Sequence, residues 1–187
     1  RWHPQKLQRQ KDYLRLHPEY KVCFTEEVWI RNGRRVNPKQ KHQKQGGQIF
    51  QASLKLCMMA ASTTMIHRDV FEQCGVFDES LTVCEDYDLW LRIAARYSVA
   101  LIHEQLMTRY GGHADQLSAH SWGNDRYRVR SLQKILKTIP LSKDDQQAAI
   151  AVLLQKSRIL SQGFLKRNKQ EEAEYYQNII REWSVVS

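Results

Sequence analysis

Cysteine is scarce and unpatterned in this chain. Cys23, Cys57, Cys74 and Cys84 show no Cys-x-x-Cys spacing and no histidine at a zinc-like interval, which argues against a motif-based zinc or dithiol site. Each lies in an apolar or mixed segment, where a free thiol behaves as a small hydrophobe, so a reduced, cytoplasmic setting is the default. No apolar run approaches the length of a membrane span. No signal peptide opens the chain, and it begins at Arg1 without methionine, which suggests a fragment. Charge of one sign never gathers into a long tract. Lys39-Gln40-Lys41-His42-Gln43-Lys44 comes nearest and reads as a solvated loop. There is no internal repeat.

What remains is a chain of 187 residues, 42% hydrophobic, with a mean hydropathy of -0.62. That is enough for one well-buried domain with a small helical annex. Lysine and arginine outnumber the acids 29 to 20, for a net charge of +9. Such a balance suits nucleic acid, an anionic membrane surface or phosphorylated substrates.

Periodicity predicts the elements. Residues 1–16 read as a helix, with Pro4 in its first turn, Leu7 and Leu14 on one face and Pro18 ending it. Val22-Cys23-Phe24 and Val28-Trp29-Ile30 read as strands, and Asn32-Gly33 is a two-residue hairpin signal before Arg35-Val36. Ile49, Phe50, Ser53 and Leu54 form a short helical face. Residues 60–66 read as a compact strand, whose small side chains suit either a ligand or tight packing. Residues 67–74 form a short helix stopped by Gly75. Further strands are expected at Val99-Ala100-Leu101-Ile102 and at residues 106–110, then a Gly111-Gly112-His113 loop. From Ser121 onward the period is helical. Trp122, Val129, Leu132, Leu136 and Ile139 line one helix. A second, capped by Ser142 and Asp145, carries Ala148, Val152, Gln155 and Ile159. A third, over residues 168–183, carries Ala173, Tyr176, Ile180 and Trp183.

The stretch around which the rest is arranged runs from Gly75 to Arg92. A buried-looking Phe77 precedes a polar loop. Glu85, Asp86 and Asp88 then stand at the mouth of a helix whose stripe is Leu89, Ile93 and Tyr97. Two readings of these acids compete. Thr82 and Glu85 fit a capping box. Alternatively, a carboxylate fixed at a helix start beside a cleft is well placed to accept a proton. Trp90 reads as core.

The residues from Thr63-Met65 through Gly75-Val76-Phe77-Asp78-Glu79 and Glu85-Asp86-Tyr87-Asp88-Leu89-Trp90-Leu91-Arg92 to His113 resemble the family 2 glycosyltransferases of the GT-A fold. In that family a Gly-Phe-Asp-Glu segment leads into a Glu-Asp pair opening a helix, then a strand pair and a histidine loop. Trp2, Pro4, Lys6, Leu7 and Gln10 are similar to the segment that follows the family's metal-binding Asp-x-Asp. The resemblance implies that this Asp-x-Asp and the nucleotide-binding half lie upstream of Arg1. The fold it implies is α/β, a partial GT-A-like mixed sheet flanked by helices. Residues 1–120 would be the acceptor and catalytic-base half, and residues 121–187 a C-terminal helical annex.

The same resemblance implies the chemistry. Asp86 would be the general base of an inverting transfer from a nucleotide-sugar donor to a glycan or other hydroxyl acceptor, with Glu85 beside it. Arg109 and His113 would reach the donor diphosphate, and His113 the metal. A divalent cation, Mg or Mn, is expected in the complete protein and none in the fragment, which alone should be inactive. The Gln-x-x-Arg-Trp signature of processive synthases has no match at Gln116-Leu117-Ser118-Ala119-His120. The setting implied is cytoplasmic, with peripheral association at the cytoplasmic face of a membrane as a variant. No nucleic-acid motif is present, and none is expected as a partner. The alternative is a basic, non-catalytic module for RNA or another polyanion, supported by the net charge and by Trp29, Tyr110 and Trp122.

Overall fold

A computed structural model describes residues 1–37, 43–111 and 123–185. The expected α/β architecture is present: a mixed four-stranded sheet flanked by helices, with three helices at the C-terminal end. Strand β1 (Val22–Arg31) is central. Along one edge it pairs antiparallel with β2 (Arg34–Val36) and β3 (Thr64–Ile66); it also pairs in parallel with β4 (Ala100–Gly111).

The two short strands expected at 22–24 and 28–30 are therefore one, as are those near 100 and 108. Polar residues such as Glu26, Glu27, His103 and Glu104 break the apolar pattern, but the backbone runs on through register shifts near Thr25, Glu26 and Glu27. The hairpin signal holds. Asn32 and Gly33 both have positive φ, 50° and 76°, as a primed two-residue turn requires. Residues 60–66 differ from expectation: Ala61–Thr63 is a single 3-10 turn, and only Thr64–Ile66 is strand.

That turn explains a motif near the N-terminus. Helix α1 spans Lys6–Leu16, shorter than expected, because Arg1–His3 lies extended along β4 instead, with His3 N donating to Leu106 O at 2.9 Å. Trp2 Nε1 donates to Ser62 O at 2.7 Å and Gln10 Nε2 to Thr63 O at 2.9 Å. Lys6 is buried over the Trp2 ring and donates to Gln10 Oε1 at 2.6 Å. Burial pushes its ammonium pKa down, against a raising influence of Cys23. Tryptophan, lysine and glutamine at this spacing thus clamp the 61–63 turn to α1.

Helices α2 (Phe50–Lys55), α3 (Arg68–Cys74) and α4 (Glu85–Ala94) follow the expected positions. Gly75 ends α3 with φ 75°. Helix α4 is not the one-sided stripe anticipated: every residue from Tyr87 to Ala94 is buried, because α2, α3 and α5 (Asp125–Thr138) pack around it. Phe77 proves 40% exposed, its ring edge-on to Trp90 at 6.2 Å. Trp90 is core, as expected.

Helix α6 (Lys143–Leu165) is capped by Ser142, whose hydroxyl accepts from Asp145 N at 3.2 Å. Its buried face is Ala149, Ile150, Val152, Leu153, Ser157 and Phe164, rotated from the expected stripe, so Gln155 and Ile159 face outward. Helix α7 (Gln170–Ser184) buries Ala173, Tyr176, Ile179 and Trp183 against α6. One continuous core links these helices to α4 and to Phe24 of β1. Trp122 lies outside the described residues.

Gly46 abuts β4 so closely that a Cβ would sit 2.9 Å from Leu101 N and 3.1 Å from Val99 O. Both are backbone atoms of the sheet and cannot swing away. Gly46→Ala is expected to lower stability by about 1–3 kcal/mol, read as a fall in the urea midpoint at constant slope. An unchanged midpoint would mean that the segment before α2 shifts freely.

Candidate active site

The three acids of α4 part company in the fold. The helix starts from Cys84, which has φ 62° and makes no side-chain cap. Thr82 turns away and donates its hydroxyl to Tyr127 Oη at 3.0 Å, so the capping box does not form. The left-handed turn at Cys84 carries Thr82 out of reach of the free N–H groups of the first turn.

Asp88 points into the core and is fully buried. Its Oδ2 accepts from Arg92 Nε at 2.9 Å and from Lys134 Nζ at 3.1 Å, with Arg92 Nη2 in ion-pair contact at 2.8 Å. Arg92 also donates to Cys74 O and to Val76 O, tying the end of α3 to α4. Lys134 bridges onward to Asp78 at 2.8 Å. The Lys134 ammonium and then the Ser80 hydroxyl hold the Asp78 carboxyl well below the usual carboxylate range. Asp78 and Asp88 are thereby occupied in holding the fold.

Asp86 faces a different space. It lines a cavity of about 130 Å³ with Glu27, Lys44, Arg109 and the segment from Leu56 to Ala60. Asp86 Oδ1 accepts from Tyr87 N at 2.7 Å, and Oδ2 from the Cys57 thiol at 3.4 Å. Burial, and then the neighbouring Asp86 charge, push the Cys57 pKa far up, so the thiol is a neutral donor and not a nucleophile. Opposite stands Glu27, buried between two cations: Lys44 Nζ lies 3.3 Å from Oε1 and Arg109 Nε 3.3 Å from Oε2. The second contact lacks hydrogen-bond geometry, leaving Glu27 Oε2 with unused acceptor capacity. Arg109 also lies 5.6 Å from the Trp29 ring centre.

Of the four residues singled out in the sequence, Asp86 and Arg109 share this cavity. Glu85 is half-buried at the first helical position and does not line it. His113 lies outside the described residues. Sequence reasoning missed Glu27, Lys44 and Cys57. The basic run around Lys44 suggests a solvated loop, yet its side chain is largely buried, donating to Thr25 O at 2.9 Å as well as meeting Glu27. Glu27 is legible only if β1 is one strand, since it then shares a face with Trp29.

The described residues do not by themselves fit a divalent cation. No group of three potential ligands forms among them, and the Glu27 carboxylate faces two cations. A larger groove, about 570 Å³, lies between α5 and α6, but its one carboxylate, Asp125, is bonded to Lys156 at 2.8 Å and Arg128 at 3.2 Å. Among the described residues no helix is long and apolar enough to cross a membrane.

No family model matches the chain. Two curated relatives do, each over 72 residues that cover 38% of this chain and 23% of the relative. One is an uncharacterized glycosyltransferase of Rickettsia typhi at 35% identity, the other an uncharacterized glycosyltransferase of Rickettsia prowazekii at 33%. The matched part is thus under a quarter of those proteins' length. At that coarse level, the relationship these matches carry is to glycosyltransferases in general.

Proposed function

We propose that this chain forms the acceptor and catalytic-base part of a family 2-like glycosyltransferase, residues 1–120 carrying the site and 121–187 the helical annex. The observation that carries the reading is the cavity itself: the Asp86 carboxylate lines it together with two cations, Lys44 and Arg109, each paired with buried Glu27.

In the proposed reaction an acceptor hydroxyl lies against Asp86, which takes its proton as the oxygen attacks the anomeric carbon. The nucleoside diphosphate leaves from the opposite face, and the configuration inverts. The Tyr87 amide and the Cys57 thiol fix the carboxylate plane, each taking one oxygen and leaving lone pairs for the substrate. Glu27, buried behind the cavity wall, holds Lys44 and Arg109 in place as their counter-charge. Arg109, half-exposed at the rim, is positioned to meet developing negative charge on the leaving group. Glu85 adjoins Asp86 in the first turn of α4 without lining the cavity. The metal dependence implied by the resemblance, with His113 as a ligand, rests on groups beyond the described residues.

The test is transfer by the longest polypeptide that contains this chain, offered a panel of nucleotide sugars with Mg²⁺ or Mn²⁺. Release of nucleoside diphosphate that saturates with one donor is the expected outcome. Failure with every donor, together with a salt-sensitive gel shift on RNA, would replace the transferase by a polyanion-binding module.

A further inference from the structure

Strand pairing sets side chains on a common face, and one face of the β1–β2–β4 end is unusually cationic. Glu27, Trp29 and Arg31 alternate onto the same side of β1. Register places Arg109 beside Trp29, and Arg34 directly across from Arg31. Arg31 and Arg34 are both exposed, and neither meets a carboxylate among the described residues, whereas Arg109 on the same face has Glu27 at 3.3 Å. Arg35, on the other face, instead reaches Gln105 Oε1 at 3.4 Å.

Like charges directly opposite on neighbouring strands repel. The turn that joins the strands is the tight Asn32-Gly33 pair, which fixes the register and so sets the two side chains on one face from directly opposed positions. Two planar donor forks presented from opposed positions can converge on the oxygens of one phosphate group. The pair lies two residues along the strand from Trp29 and Arg109, about 7 Å beyond the rim of the Asp86 cavity, or roughly the span of one sugar ring.

We propose that Arg31 and Arg34 form an anion clamp for a phosphate carried by the acceptor, so that the substrate of this site is a phosphorylated hydroxyl compound. This rests on reading Asp86 as the base. The acceptor hydroxyl lies at Asp86, the body of the acceptor passes along the Trp29 face of β1, and its phosphate is held at the hairpin tip.

The test uses the 187-residue chain and inorganic pyrophosphate as the probe, titrated calorimetrically at physiological salt. The Arg31→Gln/Arg34→Gln variant should bind pyrophosphate at least about tenfold more weakly, with a melting temperature that is not lowered, since both side chains are exposed and their mutual repulsion is removed. A control, Arg158→Gln/Lys166→Gln, removes the same charge from α6 and its C-terminal cap and should leave the affinity unchanged. Equal weakening in the control would reduce the effect to net charge and overturn the proposal, as would no weakening in the hairpin variant. Loss of sedimentation with anionic phosphatidylglycerol vesicles but unchanged pyrophosphate affinity would assign the hairpin to a lipid surface, and would also overturn it. The titration requires no turnover. An intact clamp with full activity in an Asp86→Asn protein would sink the transferase assignment of the base. A silent clamp with Asp86 essential would sink only the clamp.

Discussion

Asp86→Asn in the complete polypeptide is expected to lower kcat by about 10²–10⁴-fold, the usual contribution of a positioned general base. Substrate binding should change little, because the cations and Glu27 stay in place. The fold should survive. The substituted asparagine keeps an acceptor for the Tyr87 amide, and its own amide group can face the Cys57 sulfur while that thiol turns wholly to Met59 O. What the fold loses is one charge near the helix N-terminus, worth about 0.3–1 kcal/mol at most for a surface site. The decisive measurement pairs a steady-state rate with a melting curve. Near-normal turnover would remove Asp86 from the chemistry. A steep fall in melting temperature with proportionate loss of rate would return it to a structural part at the helix start.

Arg92→Ala is expected to be the most damaging change to the fold, costing about 3–5 kcal/mol. It leaves Asp88 fully buried with only Lys134 as partner, and strips donors from Cys74 O and Val76 O at the α3–α4 junction. Against a total stability of roughly 5–15 kcal/mol, that is a large share. Arg92→Lys should be intermediate, since an ammonium keeps the charge but cannot fork onto both the carboxylate and the two carbonyls. Lys134→Ala should cost less than Arg92→Ala, because Lys134 is a third exposed and Arg92 still neutralises Asp88. Urea midpoints in the order wild type, Lys134→Ala, Arg92→Ala are the result anticipated. A stability for Arg92→Ala within about 1 kcal/mol of wild type would mean that Lys134 alone suffices as the partner of Asp88.

The elements themselves are largely legible because period and punctuation agree. Asn32-Gly33, Gly75, and Ser142 with Asp145 each announce a turn or cap that the structure contains. The site is legible only in part, for a physical reason. Asp86 stands out as an acid at a helix start, but so does Asp88. The local clue that separates them is Arg92, four residues after Asp88, whereas the burial of that pair depends also on Lys134, far along the chain. Lys44 sits in a basic run that looks solvated, and only the placement of Glu27 on the facing strand makes it a buried ion-pair partner. Long-range pairing of charges leaves no periodic trace. The long strands read as split for the same reason, since charged residues facing a cavity or a sheet rim interrupt alternation without interrupting the backbone.

The parallel pairing of β1 with β4 also governs how the chain must reach its fold. Cys23 finds Ala100, and Arg31 finds Gly111, only after a loop of roughly 80 residues has closed. The hairpin at Asn32-Gly33 and the α6–α7 helical pair can form from neighbours, whereas the central ladder joins residues far apart in sequence and is expected to form later. During synthesis β1 therefore emerges long before its partner, with one edge open and Val22, Phe24, Trp29 and Ile30 uncovered. That interval is where unpaired strand edges associate between chains. Refolding yield should fall with protein concentration, and a chaperone that shields extended apolar segments should restore it.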